Sequence, residues 1–375
     1  MAQEFNISIQ DSQGTAVYPI APEQFDFSRY HEYEASLLER NQKFWEGEQG
    51  ILVYRRVRAN GVFFDKCRDY KESLALQLGA LQDSLSYEAD IANFLEPWYG
   101  IGYIASCFGS EYVWNKGQSP SVVQRFKTVG DILNSDYTPL HQTKIGKHIL
   151  EMEEYFLDKT KGKIPMSFCD VQSPLNMLSY LLPINDLFLE IYDDPEGVAK
   201  AADLMAELLI EFLGKQRELI EANLASPGHG FASSRVFNGI GMSDDNSIML
   251  QADDYLELFG KADEKVGREF GGLVYHSCGN WESKIRMVKS LGGIRMADAA
   301  FSLQTDPAPN DPDVFSEAFR GSGIVLNARA VGSSEECFPI FEKLIKPGQK
   351  LIAVTYCGNA EDQKRLYQSL HALAI

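Results

Sequence analysis

The sequence predicts an α/β fold, a (β/α)8 TIM barrel with a mainly helical N-terminal extension. Three observations lead there. Apolar strand-like runs alternate with amphipathic helices through the last third of the chain. Those runs are nearly continuous in apolar residues, as in parallel strands covered on both faces. No glycine-rich nucleotide turn follows an early strand, which disfavours an open doubly wound sheet. With 375 residues and 45% hydrophobic content, the chain can bury a core of that size.

The N-terminal part is irregular and helical. "SRYHEYEASLLERNQKFWEGE" (Ser28 to Glu48) and "DYKESLALQLGALQDSLSYE" (Asp69 to Glu88) carry apolar residues at helical spacing. Between them "ILVYRRVRANGVFF" alternates loosely around a turn at Asn60 and Gly61. No βα alternation appears before about residue 100, so residues 1–95 are expected to pack as an extension on a barrel formed by residues 96–375. "EPWYGIGYIASCFGSEYVW" (Glu96 to Trp114) is rich in aromatics and glycine without one period; it lines a cleft or packs a core.

From about residue 140 the pattern sharpens. A helix, "TKIGKHILEMEEYFLDKTKG", precedes the strand-like "KIPMSFCDV". Ser173 and Pro174 then give an N-cap and a proline suited to the first helical position. "DPEGVAKAADLMAELLIEFLGKQRELIEANL" is a long amphipathic helix whose first acids suit the positive end of its dipole. Strands "RVFNGIGM", "GLVYH", "GIRMADAAF", "GIVLNARA" and "KLIAVTYC" follow, each succeeded by a helix.

Charge and composition narrow the partners. A formal charge of -18 repels a phosphate backbone and an anionic membrane surface, so neither nucleic acid nor membrane is expected as a partner. The first residues, "MAQEFNISIQDSQG", lack a leader pattern and no apolar run is long enough for a span, so a cytoplasmic location is expected. Six cysteines are too sparse for a disulfide scaffold and are expected to be thiols: ligands, nucleophiles or buried apolar residues.

"GGLVYHSCGN" holds the main chemical signal: a buried strand that ends in His276 and Cys278. Cys357 ends the last strand, "LIAVTYCGN", so both strands close in Cys-Gly-Asn. In a barrel these ends meet above the mouth, and one imidazole with two thiolates is a zinc set that leaves a fourth position open for chemistry. A histidine and a cysteine at a strand end otherwise serve as packing residues. Asp244 and Asp245 follow the preceding strand, and Asp170 closes an earlier one; each binds substrate, relays a proton, completes a metal shell or caps the next helix. His229, in "SPGHGF", is a loop residue suited to a lid, while His141, His148 and His371 have no ligand set beside them. Arg55, Arg56 and Arg58 form an anion clamp or an exposed strand edge. No phosphate-binding loop or nucleophile elbow is present.

From Glu96 to the C-terminus the chain resembles the uroporphyrinogen decarboxylase superfamily, and within it the zinc-dependent corrinoid methyltransferases. "IPMSFCDVQSPLNMLSYLL", the "DPEGV" helix, "GMSDDNSIMLQADDYLELFGKADEKV", and "HSCGN" with "YCGN" carry the resemblance. It implies zinc held by His276, Cys278 and Cys357, and methyl transfer between a small substrate (thiol, ether, amine or folate) and the cobalt of a corrinoid on a separate protein. Asp170, Asp244 and Asp245 become the candidate catalytic acids, and Trp98, Tyr99 and Tyr103 a candidate face for the corrinoid. The arginine-rich substrate clamp of true uroporphyrinogen decarboxylases is absent, which makes a decarboxylase the second reading. A ligand-binding barrel with structural zinc is the third.

Overall fold

The computed structural model describes residues 14–373; the stretch 1–13, which contributes to the leader argument above, lies outside it. Its centre is a sheet of six strands, all paired in parallel: β1 Gly50–Arg55, β2 Ile240–Ser243, β3 Leu273–His276, β4 Ile294–Ala300, β5 Val325–Ala330 and β6 Lys350–Thr355. The order across the sheet is β1-β6-β5-β4-β3-β2. Helices alternate with the last five strands and cover them, which is why β5 and β6 are buried at every position and show no period-two polarity.

This is the α/β architecture of a TIM barrel, but the regular sheet is not closed. Irregular chain spans the gap between β1 and β2. Asp90 N–H donates to Val53 C=O at 2.8 Å. Isolated parallel bridges then join Leu95 to Met166 and Gln172 to Ser243. The apolar run "KIPMSFCDV" therefore contributes bridges rather than a regular strand.

The N-terminal segment contributes more than packing helices. β1 lies within residues 1–95, and all six of its residues are in register with β6. A six-residue strand without a clean alternating pattern carried no local signal, because both of its faces are covered. Arg55 and Arg56 at its end are 3% and 5% exposed, so they do not form a solvent-facing edge. The Arg55 guanidinium instead donates to the Cys357 carbonyl, from Nε at 3.0 Å and Nη2 at 2.7 Å. Helix Pro195–Ile220 begins as expected, with the Asp194 side chain accepting from the Gly197 N–H and proline at the first position. Among the described residues no helix is long and apolar enough to cross a membrane.

Candidate functional site

Strand register builds the site at the C-terminal ends of the sheet. His276 is the last residue of β3 and lies opposite Asp298 of β4, which lies opposite Asn327 of β5. Side chains in one row of a parallel sheet share a face. His276 Nδ1 lies 2.6 Å from Asp298 Oδ2. Arg329 Nε donates to the same carboxylate at 2.9 and 3.1 Å, and the Asn327 amide donates to its Oδ1. Burial opposes ionisation of Asp298, but the Arg329 guanidinium and His276 overcome it and hold the carboxyl below the usual range. An ionised Asp298 accepts the Nδ1–H hydrogen bond; burial disfavours the imidazolium, but Cys278 and Asp298 raise the His276 pKa well above the usual value, so a metal ion would take Nε2 in place of its proton.

That Nε2 lies 3.5 Å from Cys278 Sγ and 3.7 Å from Asp245 Oδ1. Asp245, His276 and Cys278 each present a donor atom, all within 4.8 Å of one another. The turn after β3 fixes the thiol: Asp245 Oδ1 accepts the Cys278 N–H, and Asp306 Oδ2 accepts the Gly279 N–H, each at 2.7 Å. Gly279 has φ +78°, a backbone state that a side chain would strain, which accounts for the glycine behind the cysteine. Imidazole, thiol and carboxylate donors, with a buried carboxylate orienting the imidazole, fit the chemistry of zinc.

The sequence-predicted donors are thus brought together in part. His276 and Cys278 meet as expected, and Asp245, expected as a supporting acid, joins them. Cys357 is not in this group. Its thiol lies beside Asp362, at the start of helix Ala360–Leu373, with Cys337 also near, and burial pushes it up to about 12. Arg55 holds the Cys357 carbonyl, which fixes the course of the chain at the end of β6.

A cavity of about 280 Å³ opens beside the donor group, with His276 and Cys278 on one side and Asp170, His229, Arg56 and Arg58 among its other walls. Here the structure assembles a network from residues that lie in separate segments of the chain. His229 Nδ1 lies 2.9 Å from Glu96 Oε1, and Nε2 lies 3.2 Å from Asp170 Oδ2. Arg56 Nη2 donates to Glu96 at 2.8 Å, and Trp98 Nε1 and Gln172 Nε2 donate to Asp170 at 2.9 and 2.7 Å. Burial disfavours the Glu96 anion, yet Arg56 and His229 hold it well below the usual carboxylate range. His229, expected in a lid loop, lies against the mouth between two acids.

Other candidates are placed away from the cavity. Asp244 is 1% exposed and shares the Tyr255 hydroxyl with Asp263; burial raises both carboxyls, that of Asp244 to about 7. It is a core acid, because Asp244 and Asp245 point to opposite sides of one turn. Trp98 and Tyr103 are 4% and 0% exposed and offer no face to a large planar cofactor, since the aromatic run packs the interior. Tyr99, half-buried, lines a different groove. Sequence reasoning passed over Asp298, Asn327 and Arg329, although a polar residue inside an otherwise apolar parallel strand was a usable signal.

Comparison with known proteins accords with this architecture. The family model described as uroporphyrinogen decarboxylase (URO-D) matches residues 49–223. A methyltransferase from Methanosarcina mazei shares the fold with a TM-score of 0.60 and 13% sequence identity, over 90% of this chain and 97% of that one. No curated protein matches.

Proposed function

We propose that this chain, whose residues 49–223 match the uroporphyrinogen decarboxylase family model, is a zinc-dependent methyltransferase. It moves a methyl group between a small thiol, ether, amine or folate and the cobalt of a corrinoid carried by a partner protein. The observation that carries this reading is the Asp245, His276 and Cys278 donor group opening onto a cavity at the C-terminal ends of the strands. The methyltransferase of the same fold adds support.

In this proposal His276, Cys278 and Asp245 would hold the ion, with Cys357 the further thiolate that the resemblance implies. Bound zinc supplies Lewis acidity, which favours the thiolate or alkoxide form of a substrate heteroatom at neutral pH. Asp298 keeps the His276 proton on Nδ1 and so keeps Nε2 available. Asp170, on the far wall, receives or returns the proton that the substrate heteroatom loses or gains. Glu96, itself fixed by Arg56, holds His229 against Asp170.

The family's name also raises a decarboxylase acting on a polycarboxylate. Arg56 is already committed to Glu96, and the chain's charge of -18 opposes such a substrate. Methylcobalamin absorbance, followed while the zinc-loaded protein is offered thiols and folates, tests the reading. Demethylation with one of them is expected; a protein that binds no zinc, or that releases CO2 from a porphyrinogen, overturns it.

A further inference from the structure

Besides the mouth cavity, the protein has a second and larger recess, about 570 Å³, with no lining residue in common with the first. It lies between the start of helix Lys144–Thr160, the segment Gly109–Trp114, and Arg68. Three aromatic residues line it. Tyr99 is 5.6 Å from both Tyr112 and Trp114, ring centre to ring centre, and Tyr112 meets Trp114 edge-on at 5.7 Å. Tyr99 is also stacked on His148 at 3.8 Å. Trp114 and Tyr99 are only half-buried, so these rings leave open space where a core cluster would close it.

The charges on this recess are unusual for so acidic a chain. The Arg68 guanidinium lies 5.0 Å above the Trp114 ring, and Lys144 stands on the same wall. Both are exposed, and neither has an ion-pair partner among the described residues. Glu111 is the only acid on the lining. A cation held over an indole face, beside a second unpaired cation and two further aromatic rings, suits a flat ring that carries negative charge.

We propose that the recess bounded by Arg68, Tyr99, Trp114, Lys144 and His148 is a second ligand site for an anionic aromatic molecule, a planar ring bearing a carboxylate or a phosphate. The ring packs against Trp114 and Tyr99, and its acid group pairs with Arg68 and Lys144. This does not depend on the methyltransferase reading, because the site shares no residue with the donor group.

The test is calorimetric titration of the full chain with 4-hydroxybenzoate and phenyl phosphate. Benzamide serves as the neutral aromatic control, and cyclohexanecarboxylate as the anion without a ring. Saturable binding of at least one aromatic acid is expected, about tenfold tighter than either control. Trp114→Leu and Arg68→Gln are each expected to weaken it about tenfold, whereas Cys278→Ser leaves it unchanged. No saturable binding, equal binding of benzamide, or affinity that survives Trp114→Leu and Arg68→Gln overturns the proposal. Loss of binding in Cys278→Ser also overturns it, since it would place the ligand at the mouth.

Discussion

Replacing Asp298 with asparagine separates the two things this carboxylate does. It is 1% exposed and stands between His276 and the Arg329 guanidinium, so Asp298→Asn removes one charge while keeping shape. Arg329 is 8% exposed and loses its buried counter-ion. Breaking a buried pair of this kind costs about 3–5 kcal/mol. The asparagine can still accept the Nδ1–H hydrogen bond with its amide oxygen, but without the negative charge that makes the imidazole a better metal ligand. Loss of such an outer carboxylate lowers metal affinity roughly 10–100-fold. Urea unfolding in the presence of chelator reads the first effect, and zinc competition against a chromophoric chelator reads the second. A variant that is destabilised by several kcal/mol yet holds zinc as tightly as the wild type would refute the argument that Asp298 serves His276 as a ligand.

Three further outcomes are expected. Asp170→Asn should lower methyl transfer by about 10²-fold or more with zinc content unchanged, while Asp244→Asn should leave turnover near wild type; equal rates in Asp170→Asn and wild type would return Asp170 to a structural role. Cys357→Ser should weaken zinc binding without unfolding the barrel, and unaltered affinity in a chelator competition would confine the donors to Asp245, His276 and Cys278. The Lys350 ammonium is disfavoured by burial and by Arg295, which lowers its pKa to about 8. Between that value and the ordinary lysine pKa the unfolded chain holds a proton that the folded chain has released, so stability rises with pH across this window. Denaturant midpoints should show that rise reduced in Lys350→Met, and parallel profiles for the two proteins would contradict it.

The legible and illegible parts of this protein differ in sequence range of contact. β3, β4, β5 and β6 were visible because each is a local apolar run followed by a helix. His276 and Cys278 were visible because metal-binding side chains at the end of such a run break the ordinary pattern. The contribution of β1 was not visible, since it pairs with a strand about 300 positions away and alternates only loosely. Glu96, His229 and Asp170 meet only after the chain from three separate segments is folded together, and nothing in the neighbourhood of His229 signals two acids. The difference between Asp244 and Asp245 is a matter of one residue's direction at a turn. Tyr255 and Asp263 settle it by drawing Asp244 into the core.

Elemental analysis of the purified protein beside Cys278→Ser and His276→Ala tests the central claim most directly. One equivalent of zinc is expected in the wild type and its loss in both variants, with the far-ultraviolet circular dichroism of a folded α/β barrel retained in each. A wild type without metal, or zinc held undiminished by both variants, would contradict it.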